Sequence, residues 1–219
     1  MKLTFENIIY EVKIQCSKQE EQLTGQKYIT QKIIKDASGF ALPGEVLYIM
    51  GASGAGKTSL LNILSDRIST GKGAKVKGKV LVNDCINLRG PNFGAIASYV
   101  MQDDVLFKSF TPREALTFAA RLKLSHMNIE DQDLRVEELL GDLNLLSVAD
   151  TLIGGGKIKT ISKSEIKRTA IGVELITDPM LVLLDEPTSG LDSHKALSIV
   201  RLMRNFARKR GKTIISTIH

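Results

Sequence analysis

The stretch Gly51-Ala52-Ser53-Gly54-Ala55-Gly56-Lys57-Thr58 follows the pattern G-x-x-x-x-G-K-[ST]. Its residue types state what it can hold. Glycines let consecutive main-chain N–H groups curl around an anion, and a helix starting at the end of the loop adds the partial positive charge of its N-terminus. The ammonium of Lys57 can reach β- and γ-phosphate oxygens, and the Thr58 hydroxyl suits a Mg²⁺ ion held by the same phosphates. A second chemical group lies far downstream, where the apolar run Met180-Leu181-Val182-Leu183-Leu184 ends in Asp185-Glu186. At the end of a strand such a pair has two uses: the first carboxylate supports Mg²⁺ and the second polarises an attacking water.

Both groups need elements to hold them. Glu45 to Met50 reads as a buried strand entering the loop, and Thr58 to Ile68 places Leu60, Leu61, Leu64 and Ile68 at helical spacing. Before the loop, Leu3–Ile14 and Ile29–Ala37 read as strands. They are separated by a polar stretch from Ser17 to Gly25; the second ends before Ser38-Gly39, and Pro43-Gly44 turns the chain. After it, Ser69 to Gly78 reads as a Gly- and Lys-rich turn, Lys79–Val82 as a short strand before a turn at Asn83-Asp84, and Ala95–Met101 as a further strand. Thr111-Pro112-Arg113-Glu114 is a helix start with its own cap, and Leu134, Leu139, Leu140, Leu143 and Leu146 mark a second amphipathic helix. Gly154-Gly155-Gly156 closes that block. Ser164–Ile176 and Ser193–Arg210 read as helices, the second with a basic outer face, and Met180–Leu184 and Lys212–Ile218 as strands. Strands alternating with helices predict an α/β fold with a mostly parallel core sheet, whose strand ends gather the ligand groups. The helical stretch, roughly 103–165, reads as a lobe inserted in one domain spanning 1–219.

Bulk properties narrow the class. The chain has 219 residues, 43% hydrophobic and 25% charged, with a formal net charge of +6. That balance suits phosphate ligands or an anionic membrane surface and is too scattered to argue for nucleic acid. Cys16 and Cys85 lack metal spacing and read as thiols in a reducing compartment. His126 and His194 read as structural. No apolar run approaches a membrane span, the N-terminus lacks a signal peptide's apolar core, and no N-K-x-D motif marks guanine recognition.

Four stretches in order, GASGAGKTSLLNIL, YVMQDDVLFKSFTPREALTFAARL, IKRTAIGVELITDPMLVLLDEPTSGLDS and the terminal STIH, resemble the nucleotide-binding domain of ATP-binding cassette (ABC) transporters. The resemblance is closest to subfamily G, the White-type half-transporters, and runs from about residue 30 to 219. It implies a P-loop NTPase fold of ABC type, with an N-terminal antiparallel β part and an inserted helical lobe. It implies ATP and Mg²⁺ as cofactors, held by Gly51, Ala52, Ser53, Gly54, Ala55, Gly56, Lys57, Thr58 and Ser59, with Thr58, Gln102 and Asp185 around the metal. Gln102 would be the Q-loop glutamine, Glu186 the general base and His219 the switch histidine. Ser189-Gly190-Leu191-Asp192 would be the D-loop, so that Asp192 and Ser162 serve nucleotide bound across a subunit interface. Tyr28 lies near the place of an adenine-stacking aromatic.

The resemblance further implies a motor that dimerises head to tail with a second nucleotide-binding domain and drives export. It places that motor on the cytoplasmic side of a membrane, without nucleic acid as partner. Half-transporters of this type continue past the switch histidine into a membrane domain, so the chain reads as truncated there. One stretch departs from the pattern: where the family has Leu-Ser-Gly-Gly-Gln, this chain has Ile161-Ser162-Lys163-Ser164-Glu165. Ser162-x-x-Glu165 still forms a capping box. Lys163 and Ser164 either crowd the approach of a partner's phosphate, leaving a degenerate site and favouring a heterodimer over a homodimer, or Lys163 supplies charge to the transition state. A nucleotide-binding subunit with little turnover, and a soluble ABC ATPase acting on ribosomes or DNA, are the rival readings.

Overall fold

Extended, β-rich sequence at the N-terminus forms two long strands, β1 (Leu3–Gln15) and β2 (Tyr28–Ala41), paired antiparallel from Leu3↔Ala41 to Gln15↔Tyr28. The computed structural model describes residues 1–17, 21, 25–68, 73–88, 91–155 and 159–218; the polar stretch 17–25, the start of 69–78, Gly156 and His219 lie partly or wholly outside them. β4 (Ala74–Val82) pairs with the other edge of β1, and the two-residue β5 (Ile86–Asn87) completes an antiparallel sheet in the order β2-β1-β4-β5. Asn83 and Asp84 turn the chain from β4 to β5 with φ of +49° and +60°, a conformation these two residue types tolerate better than most. Lys2 Nζ, just before β1, and Thr4 Oγ1, in β1, donate to the Asp84 carboxylate, which holds its pKa below the ordinary range.

Two glycine-containing stretches, one read as a strand end and the other as a turn, are strand. Ser38-Gly39 continues β2 because the tip of the Phe5 ring packs against Gly39, where an added Cβ would meet Phe5 Cζ at 2.7 Å. β4 begins inside the Gly- and Lys-rich stretch, and Gly78, at φ +104°, sits where an added Cβ would lie 2.6 Å from the Glu6 and Asn7 carbonyl oxygens. The β1–β4 register shifts between Glu6 and Ile9, so Gly78 marks a bulge rather than a loop.

The second sheet is parallel, in the order β3-β8-β7-β6, from β3 (Val46–Met50), β6 (Ala97–Val100), β7 (Leu181–Leu184) and β8 (Thr213–Ile218). Every residue of β7 is buried because both faces are covered. Leu181 and Leu183 face Leu61 and Leu64 of α1 (Lys57–Leu64) and the antiparallel sheet through Phe5 and Val80. Val182 and Leu184 face the helical side, where α3 (Pro112–Lys123), α4 (Ile129–Asp142), α5 (Lys163–Leu175) and α6 (Ser193–Arg210) supply Leu116, Leu139, Ile171 and Phe206. Alternation along one strand thus welds three layers together.

Local boundaries differ from the sequence reading at three places. A short helix α2 (Pro91–Ile96) occupies the start of the stretch read as strand, leaving β6 only four residues. α1 ends at Leu64, ahead of Asp66 at φ +52°. In α4 the buried face is Gln132, Val136, Leu139 and Leu140, continued by Leu143 beyond its end, while Leu134 and Leu146 are 64% and 56% exposed. Leu134 is two positions from Gln132 and so lies nearly opposite on the helix; the Gln132 amide is kept inside by donating to the Leu124 and Met127 carbonyls.

Candidate functional site

β3 ends at Met50 and α1 begins at Lys57, so the intervening loop hangs off the C-terminal edge of the parallel sheet. Gly54 and Gly56 take φ of +77° and +92°, and Gly56 is also tight, since a Cβ there would come within 3.2 Å of the Ile33 carbonyl oxygen. Gly56 is the N-cap of α1, receives no side-chain cap, and the first turn carries no acidic residue. The N–H groups and dipole of that turn are therefore left for an outside anion. Beside them is a cavity of about 390 Å³ lined by Ser53, Gly54, Gly56 to Ser59, Ile33, Gln102 and Glu186.

The charged groups around this cavity are tied together. Lys57, only 7% exposed, donates to the carbonyls of Gly51 at 2.9 Å and Ala52 at 3.1 Å and lies 3.6 Å from Glu186 Oε1. Thr58 Oγ1 donates to Asp185 Oδ1 at 3.0 Å, joining the two motifs across 127 positions of sequence. Asp185 is buried at the end of β7 and also accepts from Thr217 Oγ1 at 2.8 Å and from the Tyr99 hydroxyl at 3.3 Å. Burial raises the Tyr99 phenol, and the Asp185 charge and hydrogen bond raise it further against the Arg67 guanidinium, which lies 4.4 Å over the ring. Tyr99 is thus a donor to Asp185 at any working pH. Glu186 follows with φ +44°; its N–H donates to Thr217 Oγ1 at 2.8 Å and its Oε2 accepts from Gln102 Nε2 at 3.2 Å. Gln102 is anchored through its carbonyl by Lys167 Nζ at 2.8 Å, and the same ammonium pairs with Asp104 at 2.8 Å.

This donor set fits a nucleotide with its metal. The main-chain N–H groups and Lys57 suit phosphate oxygens, and Thr58, Asp185 and Gln102 are the hard oxygen donors that Mg²⁺ takes. Among the described residues no group of three or more His, Cys, Asp or Glu side chains could hold a metal ion. An ion here must complete its shell with phosphate and water, as Mg²⁺ does in phosphoryl-transfer sites.

The residues singled out from the sequence fall into three groups. The loop from Gly51 to Ser59, Gln102, Asp185 and Glu186 converge as described; Ala55, exposed, only closes the loop through its N–H to the Ala52 carbonyl. Ser162 and Asp192 are exposed and outside the cavity, each at a helix start: Ser162 caps α5 in a reciprocal box with Glu165, and Asp192 caps α6 and pairs with Lys195. Burial pushes the Glu165 carboxyl up, but the Ser162 hydrogen bonds and Arg168 outweigh it and hold it low. Lys163 is exposed at the first turn of α5, and Ser164 is half-buried. Tyr28, 59% exposed at the start of β2, does not line the cavity. His126 and His194 are exposed away from it, and His219 lies outside the described residues. Ile33, Tyr99, Lys167 and Thr217 were not legible beforehand. The one available signal was a hydroxyl-bearing residue in a largely buried strand, as at Thr217 and Tyr99.

A family model described as ABC transporter matches residues 34–189. The chain is 40% identical over 191 residues to ABC transporter G family member 6 of Arabidopsis thaliana, covering 87% of this chain and 26% of that protein. It is 42% identical over 199 residues to ABC transporter G family member 24 of Dictyostelium discoideum, covering 89% and 17% respectively. Against ABC transporter G family member 22 of Arabidopsis thaliana the identity is 41% over 218 residues, covering 99% and 27%. The chain thus spans roughly a quarter or less of the length of these relatives. Among the described residues no helix is long and apolar enough to cross a membrane. With the phosphate loop, the acidic strand end and these matches in agreement, the chain belongs to the ABC transporter family, as a nucleotide-binding domain of its subfamily G.

Proposed function

We propose that the chain is the Mg²⁺-dependent, ATP-hydrolysing motor of a membrane exporter, working from the cytoplasmic side. The observation that carries this is the hydrogen bond from Thr58 to Asp185 beside the Lys57–Glu186 pair, which brings the anion-binding loop and the acidic strand end to one cavity. When bound, Mg·ATP supplies the phosphoryl group for transfer to water and a cation that neutralises the charge developed in that transfer. The residues of the chain do the rest. The first-turn N–H groups of α1 and Lys57 bind phosphate oxygens; Thr58 and Gln102, with Asp185 behind the threonine hydroxyl, hold the metal. Glu186 takes the proton of the attacking water, oriented by Gln102. His219 would contact the terminal phosphate. The helical stretch 103–165 is the lobe that carries the signature helix α5 to a second nucleotide-binding domain docked head to tail, where Ser162 and Asp192 meet the partner's nucleotide. Membrane association and export come through a membrane domain, as the transporter names of the relatives support.

The exposed Lys163 at the first turn of α5 favours a degenerate signature and hence a partner of different sequence. Titration of the purified chain with a fluorescent ATP analogue tests the reading. The parent binds in the presence of Mg²⁺, and Lys57→Ala weakens binding at least about tenfold, the loss of one charge-assisted contact. No binding by the parent, or equal binding by the two, overturns it.

A further inference from the structure

We propose that Thr217 is a positioning residue that sets both Asp185 and Glu186 through a single hydroxyl, and so tunes the chain's affinity for Mg²⁺; the proposal rests on the nucleotide-site reading above. In the β7–β8 pairing Leu184 is opposite Ser216, so the next step along both strands puts Thr217 beside the acidic pair. Thr217 is 0% exposed, in a strand that also buries Thr213 and Ser216. A threonine hydroxyl has one proton to give and lone pairs to accept with. Here the proton goes to Asp185 Oδ1 at 2.8 Å, with the Leu184 carbonyl at 3.5 Å a poor competitor, and the oxygen accepts the Glu186 N–H, also at 2.8 Å.

The second of these bonds falls where the backbone needs one. Glu186 is a non-glycine residue at φ +44°, a conformation that persists only when its surroundings enforce it. That backbone turn directs the Glu186 carboxylate toward Lys57 and Gln102. The first bond reaches the same Asp185 oxygen that accepts from Thr58, so Thr217 holds the carboxylate at the oxygen turned to the phosphate loop. Asp185 takes three hydroxyl donors, from Thr58, Tyr99 and Thr217, but among these only Thr217 also bonds Glu186. Outer partners of this kind orient metal-supporting carboxylates and typically change metal affinity by 10- to 100-fold when lost.

The test is nucleotide binding by the whole chain, read with a fluorescent ATP analogue, first in EDTA and then across a Mg²⁺ titration. Thr217→Val keeps the shape and removes the hydroxyl. It is expected to leave metal-free binding within about twofold of the parent and to raise the half-saturating Mg²⁺ concentration about tenfold. Thr217→Ser, which keeps the hydroxyl and loses the methyl, is expected to restore the parent's Mg²⁺ dependence. If Thr217→Val does not fold by circular dichroism, Thr217→Ala carries the same comparison. A parent-like Mg²⁺ dependence in the variants lacking the hydroxyl overturns the proposal, as does a Thr217→Ser variant as impaired as they are, since the methyl and not the hydroxyl would then matter. A parent that binds no nucleotide at all takes the nucleotide-site reading down together with this one; a parent that binds normally, with Thr217→Val unchanged, removes this proposal alone.

Discussion

The ammonium of Lys57 lies 3.6 Å from a carboxylate oxygen of Glu186, both side chains largely withdrawn from solvent. The cation proposed to meet phosphate is thus neutralised within the chain by the acid proposed to activate water, and the other oxygen of that acid is held by Gln102. Binding groups and reacting group form one network, so a change in either is felt by the other.

Glu186→Gln separates the two. It keeps the size of the side chain and an oxygen for Gln102 to bond, while removing the charge and the base. Turnover is expected to fall about 100-fold or more, the usual worth of a general base. Nucleotide affinity is expected to hold or rise, because Lys57 is no longer neutralised. Phosphate release and fluorescent-nucleotide binding on the same preparation check both halves. Unchanged turnover with intact binding would remove Glu186 from the reaction, whereas intact binding with negligible turnover in the parent itself would favour the reading of a subunit that binds without hydrolysing.

Lys163 and Ser164 stand in the first turn of α5, where a cation opposes the helix dipole and side chains cover the N–H groups. Replacing them together, Lys163→Gly with Ser164→Gly, is expected to raise ATP turnover of this chain, assayed without any other partner, by about 100-fold, the effect of recovering one donor to the transition state. Thermal stability is expected to change little, since the capping box of Ser162 and Glu165 is untouched. A drop in turnover would mean instead that Lys163 supplies charge.

Lys167 is buried and joins α5 to the segment after β6, through the Gln102 carbonyl and the Asp104 carboxylate. Lys167→Met leaves Asp104 without its counter-charge and is expected to destabilise the fold by about 3 kcal/mol. Adding Asp104→Asn removes the stranded charge, so the double variant is expected to recover part of that loss. Urea unfolding of the four species gives the coupling directly; additive effects would show that the pair does not interact.

Asp142, at the end of α4, accepts from Lys209 at 2.6 Å and from Arg210 at 2.6 Å on α6. Burial pushes its carboxyl up, but these hydrogen bonds and charges outweigh burial and leave the pKa below the ordinary value. A carboxylate depressed on folding contributes stability that is present above its unfolded pKa, about 3.9, and lost as pH falls through the folded value. Asp142→Asn is therefore expected to lose about 1 kcal/mol at neutral pH, solvent screening limiting the figure, and the gap to the parent is expected to close as pH drops below about 4. A gap independent of pH, measured by urea unfolding at pH 7 and pH 3, would mean that the loss is one of packing.

The phosphate loop, the acidic strand end, the capped helices and the α/β alternation were legible in the sequence because each depends on neighbours within a few positions. Thr111 with Glu114 and Ser162 with Glu165 form the boxes their spacing implies. The apolar run before Asp185 is short and continuous, as suits a strand covered on both faces, which it forms. Readings failed where a distant partner decided: Ser38-Gly39 and the segment around Gly78 have turn-forming composition, and only Phe5 and the bulged edge of β1 make them strand.

Which residues meet was decided by the tertiary structure alone. Nothing local places Tyr99 and Thr217 against Asp185, or Lys167 under Gln102, since these contacts depend on strand order, and the order β3-β8-β7-β6 brings the last strand between the first and the acidic one. Spacing along the chain specifies what a motif can bind; the register of parallel strands from remote parts of the chain specifies what holds it in place.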